Sequence, residues 1–191
     1  MIDPIAIIKK YYDENSELYH ILVTHSKEVT EKALKIVDAH PELGADRQFV
    51  EEGAMLHDIG IFKTSASGIC CDGDKPYICH GYLGSELLQA EGLPRHALVA
   101  ERHTGTGLSL KQIIEQNLPV PHRDMRPVSI EEQIICFADK FFSKTHLGEE
   151  RDFEQARRKL EKFGEESLNQ FDKWGKMFLL LLAVAKILVH R

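Results

Sequence analysis

Apolar residues recur every three or four positions along most of this chain, and nowhere do they alternate with polar ones over the length of a strand. That pattern predicts an all-α protein. About nine helices follow from the punctuation. Asp3 and Pro4 open the first, to about residue 12. The second spans 16–39, stopped by Pro41 and Gly44, and the third spans 46–57. Two short helices, 80–91 and 94–103, flank the Gly92-Leu93-Pro94 break, and another covers 109–117. Ser129 and Glu132 form a capping box for a helix to about 144. The rest, 149–163 and 167–190, reads as a charged helix followed by an apolar one. Residues 63–77, rich in Ser, Gly, Cys and Asp, predict a long loop of the kind used as a lid or substrate wall. Residues 118–128, with three prolines, predict a surface connection.

Several ligand-type side chains fall on faces that should be dry. Leu18, Leu22, His25, Val29 and Ile36 share one stripe of the second helix, so His25 points inward. Alone, such a histidine reads as a hydrogen-bonded core residue. The third helix, however, ends in Met55-Leu56-His57-Asp58-Ile59-Gly60, with an imidazole and a carboxylate side by side in an apolar run. An unpaired buried carboxylate is expensive, and a divalent cation is one of the few partners that offset its cost. His80 shares a face with Gly84, Leu87 and Leu88, and His103 shares one with His96, Val99 and Ala100. Asp139 lies a turn after Ile135 and nearly a turn before Phe142. Four histidines and two aspartates on the inner faces of five helices make poor core filler. They suit one or two ions of iron, manganese or zinc, and are compatible with magnesium, nickel or cobalt. Two such ions about 3.5–4 Å apart can brace both oxygens of an in-line displacement at phosphorus, with a metal-activated hydroxide as nucleophile. Lys63, Arg102, Arg123 and Lys140 lie near these motifs and are candidates to meet the developing charge.

The order His25, His57-Asp58, His80, His103, Asp139 resembles the HD-domain superfamily of metal-dependent phosphohydrolases, and His57-Asp58-Ile59-Gly60 matches its HDIG signature. The resemblance covers about residues 18–145 of one domain spanning 1–191, leaving 149–190 as a helical extension. It implies a compact multi-helix bundle with the metal site at its centre. It also implies that His25, His57, Asp58 and Asp139 hold one metal, and that His80 and His103 hold a second, bridged by Asp58. The implied reaction is hydrolysis of a phosphate ester or anhydride of a small nucleotide or phosphorylated metabolite. Asp58, His57, Lys63, Arg102 and Lys140 would then be the catalytic set. Ile61 stands where HD-GYP proteins carry a lysine, and no GYP string occurs, so a cyclic dinucleotide is a poor substrate for this chain. Di-iron oxygenases of the superfamily, which cleave a C–C or C–P bond, share the same ligand order. A non-catalytic metal- or nucleotide-binding module is a third reading, against which the full ligand set argues. Specificity would reside in 63–77 and 104–128, the expected pocket walls.

Charge and cysteines narrow the setting. A net charge of −6 disfavours binding to a nucleic-acid duplex through a broad basic surface, yet allows a small anionic substrate met by a metal and a few cations. Cys70, Cys71, Cys79 and Cys136 show neither a zinc spacing nor a disulfide framework, which fits a cytoplasmic protein. The start of the chain lacks the features of a signal peptide, and the apolar run from Met177 is broken by Lys186 before it could span a membrane. The run from Phe178 to Leu182 either closes the core or offers a homodimer surface, burial being the default.

Overall fold

The computed structural model describes residues 2–188, with side chains as far as Leu179. Asp3 accepts from the Ala6 N–H and starts α1 (Pro4–Ile8). Ser16 and Asp46 cap α2 (Glu17–Ala39) and α3 (Arg47–Leu56) in the same way, accepting from Tyr19 and Phe49. There follow α4 (His80–Ala90), α5 (Pro94–Arg102), α6 (Leu110–Glu115), α7 (Ile130–Asp139), α8 (Phe153–Lys159) and α9 (Glu165–Leu188). The architecture is helical, as the periodicity predicts. No helix among the described residues is long and apolar enough to cross a membrane.

Four local departures from the sequence pattern bear on the site. The 63–77 loop contains a small sheet of β1 (Thr64–Ala66), β2 (Cys71–Asp72) and β3 (Lys75–Pro76), in the order β2-β1-β3. Strands this short cannot show a period of two. The sheet is tight enough that the Gly73 N–H donates to Thr64 O at 2.9 Å, where a Cβ on Gly73 would collide with the Lys63 backbone at 2.1 Å. Residues 118–128 are more than a surface connection, because Val120 and Met125 are buried and Met125 exchanges backbone hydrogen bonds with Leu108. Helix α7 stops at Asp139 rather than running to 144, and its last carbonyls are taken by tighter turns to Lys140, Phe141 and Phe142. Helix α8 starts at Phe153, not 149, because Asp152 and Gln155 form a reciprocal capping box.

Two apolar clusters hold the helices together. One joins α2 and α7 to α9 through Val29, Ile36, Phe137, Phe171, Trp174 and Phe178. The other joins α1, α2 and α4 through Ile8, Leu22, Leu56, Ile59 and Leu88. Phe178 is buried and its ring lies 5.4 Å from that of Phe137, so the apolar run begins by closing this core. The side chains of 180–182, expected to continue it, lie outside the described residues. Ala54 on α3 belongs to the first cluster and Leu56 to the second, so the residues after α3 emerge between the two.

Candidate metal centre

His25 sits in mid-α2, His57 and Asp58 follow α3, His80 opens α4, His103 follows α5, and Asp139 ends α7. Helix ends supply free carbonyls, and three of the imidazoles use them. His57 Nδ1 donates to Ala54 O at 2.6 Å, His80 Nδ1 to Tyr77 O at 2.6 Å, and His103 Nδ1 to Ala100 O at 2.7 Å. A carbonyl can only accept, so each Nδ1 carries the proton and each Nε2 turns inward as a prospective ligand atom.

Asp58 lies between two groups of nitrogens. Its Oδ2 is 2.9 Å from His57 Nε2 and 3.2 Å from His25 Nε2. Its Oδ1 is 3.3 Å from His103 Nε2 and 3.4 Å from His80 Nε2. Asp139 Oδ1 completes the first group at 3.0 Å from His25 and 3.4 Å from His57. In the second, the His80 and His103 Nε2 atoms are 2.9 Å apart. Ligand atoms about 3.0–3.5 Å apart are the edges expected around an ion bound at about 2.0–2.2 Å. His57 Nε2 and Asp58 Oδ1 are buried without a hydrogen-bond partner among the described residues, and the other Asp58 oxygen meets a single ammonium, that of Lys144. Polar atoms left this way are costly in a core. The residues present fit a metal, with one group of four and one of three sharing Asp58.

The electrostatics agree. Burial would raise the Asp58 and Asp139 carboxyls, but Lys144 beside the first and Lys140 beside the second, with the surrounding histidines, hold both well below the usual range. Burial and the adjacent His103 push His80 down to about 3, and burial also lowers His103. Burial disfavours a charged His57 too, yet Asp58 and Asp139 outweigh it and raise the imidazole to about 9. The centre therefore combines ionised carboxylates, two neutral imidazoles and a strong local preference for positive charge.

Among the cations, Lys140 Nζ lies 2.6 Å from Asp139 Oδ2 and 2.7 Å from His103 O. Lys144, absent from the sequence-based candidates, lies 2.5 Å from Asp58 Oδ2. It reaches there because α7 ends early, and the only signal was its four-residue spacing from Lys140. Arg102 is drawn away to Glu132 at 2.9 Å, and Arg123 pairs with Glu101. Lys63 does not line the site's cleft. His96 binds Glu52 at 3.0 Å, apart from the centre. The cleft has a volume of about 690 Å³, and His25, His80, His103 and Asp139 form its floor. Ala66, Ile69 and Tyr77 come from the 63–77 wall, and Thr104, Gly105 and Leu118 from the 104–128 wall. A third wall, unforeseen from sequence, comes from Arg151, Lys159, Leu160, Lys162 and Phe163.

A helical fold with a shared-aspartate histidine cluster defines a class of metal-binding domain. The HD domain model matches residues 22–143, and the chain belongs to that family. An uncharacterized protein of Methanocaldococcus jannaschii is 33% identical over 144 residues, covering 74% of each chain. Two relatives carry the name tRNA (cytidine(56)-2'-O)-methyltransferase. The one from Picrophilus torridus is 32% identical over 128 residues, 66% of this chain and 33% of its own length. The one from Thermoplasma volcanium is 32% identical over 123 residues, 64% of this chain and 32% of its own. The similarity thus spans about a third of each methyltransferase. No solved structure matches this chain at comparable significance.

Proposed function

We propose that this chain is a metal-dependent phosphohydrolase acting on a small nucleotide or phosphorylated metabolite. The observation that carries this reading is Asp58, whose two oxygens face separate sets of imidazole nitrogens. One or two divalent ions of iron, manganese or zinc held there would supply a Lewis acid for a phosphoryl oxygen and a nucleophile from water at neutral pH. His25, His57, Asp58 and Asp139 would hold the first, and His80 and His103, with Asp58, the second. Lys140 and Lys144 keep the two carboxylates ionised and add positive charge beside them. The carbonyl bonds to the three Nδ1 atoms fix the rings, so no reorganisation is needed at the moment of reaction.

The cleft is within the range that holds a nucleotide-sized ligand. That volume and the net charge of −6 favour a small substrate over a folded RNA, despite relatives named for tRNA methylation. Four free thiols suit a reducing, cytoplasmic setting.

The test is metal analysis by mass spectrometry on protein purified without a metal-affinity tag, followed by phosphate release from a nucleotide panel with and without chelator. One or two equivalents of transition metal with chelator-sensitive release is the expected result. Bound iron without phosphate release would replace this reading with an oxygenase. A folded protein that takes up no metal when supplied would overturn it.

A further inference from the structure

The third wall of the cleft comes from residues beyond the family match, which ends at 143. It changes the charge of the site. The cleft is lined by five cations, Lys140, Lys144, Arg151, Lys159 and Lys162, against one acid, Asp139. Three of the five are already committed. Lys140 and Lys144 sit on Asp139 and Asp58, and Arg151 donates to Phe142 O at 2.7 Å. Lys159 and Lys162 are exposed at the mouth, with no carboxylate within ion-pair distance among the described residues. Lys159 also borders a neighbouring depression that contains Glu149 and Glu150; Glu150 is bound by Lys32 at 2.5 Å, and Glu149 makes no ion pair with Lys159 among the described residues.

These lysines are held in register with the metal ligands. Lys162 lies over the ring of its neighbour Phe163, 5.2 Å from the centroid. That ring packs on Gly105, two residues after His103, so closely that a Cβ there would sit 3.1 Å away. Gln112 Nε2 donates to Phe163 O at 3.3 Å and secures the segment from the other side. The same cleft is lined by Tyr77, Ile78, Leu118 and Phe163, which give it a largely apolar strip.

We infer that Lys159 and Lys162 form a subsite for a second anionic group. The substrate class is then a nucleotide with two separated phosphates, one at the metal centre and the other at the mouth, with the nucleoside on the apolar strip. This rests on the phosphohydrolase reading for the reacting phosphate. It adds a specificity determinant that the metal centre does not contain, in the form expected of paired cations meeting a phosphate.

The experiment is calorimetric titration of the manganese-supplied full chain with adenosine 3',5'-bisphosphate and with adenosine 5'-monophosphate. It compares wild type with Lys159→Ala/Lys162→Ala and Lys159→Arg/Lys162→Arg. Wild type should bind the bisphosphate about tenfold more tightly. The alanine pair should lose that preference and the arginine pair should keep it. Equal affinity for the two probes in wild type, a preference retained by the alanine pair, or binding of neither probe would overturn the inference. Phosphate release from both probes is followed in parallel. A lysine-dependent preference without release would leave this subsite standing and remove the hydrolase reading, whereas release without preference would do the reverse.

Discussion

The Nε2 atoms of His80 and His103 face each other at 2.9 Å, and neither has a proton to place between them, because each Nδ1 already donates to a carbonyl. Two lone pairs so close repel unless a cation lies against both. With Asp58 Oδ1 beside them they make a ligand set separable from that of His25, His57 and Asp139. In protein loaded with two equivalents of metal, His103→Ala should therefore leave one while the fold persists. Phosphate release should drop by roughly a hundredfold or more. Mass spectrometry of the purified variant decides it, and two retained equivalents would show that His103 is no ligand.

Asp58 and Lys144 form a buried ion pair, with side chains 0% and 12% exposed. Removing one member strands the other. In chelator, Asp58→Asn should cost about 3–5 kcal/mol of unfolding free energy, and Lys144→Met a similar amount. The double variant should be more stable than the sum of the two losses implies. Urea unfolding of the four proteins measures the coupling, and strict additivity would mean that the pair contributes nothing.

Acid should weaken the molecule through a pair remote from the metal centre. Burial holds His96 below its ordinary value, opposed by Glu52. Burial would raise Glu52, but hydrogen bonds from Gln48, the Ile2 N–H and His96 keep it lowered. The unfolded chain takes up a proton at residue 96 near pH 6.5 while the folded protein resists it. The His96 contribution is thus present above about pH 6.5 and fades as pH falls, and that of Glu52 fades below about pH 4.3. The deficit in thermal midpoint of His96→Gln relative to wild type should be largest near pH 7.5 and shrink by pH 5. A deficit independent of pH would refute this assignment.

Gly105 and Gly44 both adopt a left-handed backbone, with φ of 60° and 62°, but only Gly105 has a neighbour, the ring of Phe163. Gly44→Ala should lose about 1 kcal/mol through backbone strain alone. Gly105→Ala should lose about 1–2 kcal/mol more, since the ring must shift and the third wall loosens with it. Equal losses on urea unfolding would show that the wall is not seated on this residue.

Helical periodicity made much of this protein legible from its residues alone. The apolar stripes locate most helices and turn His25, His80, His103 and Asp139 inward, and the caps at Asp3 and Ser129 mark the starts of α1 and α7. What periodicity reports is direction about a local axis. It says nothing about what lies across the gap, and so the destinations of the long cations were beyond it. Arg102 is taken by Glu132, thirty positions away, while Lys144 arrives at Asp58 from a different helix end. The choice among partners for a flexible charged side chain is made by packing between elements, not along them. The same is true of the third wall. Residues 151–163 carry an ordinary charged helical pattern, and only the seating of Phe163 against Gly105 turns that face toward the metal centre. Local spacing determined the helices and which faces are dry. Tertiary contact decided which dry faces meet at Asp58, and which charges remain at the mouth, because those depend on distances between segments that no local rule contains.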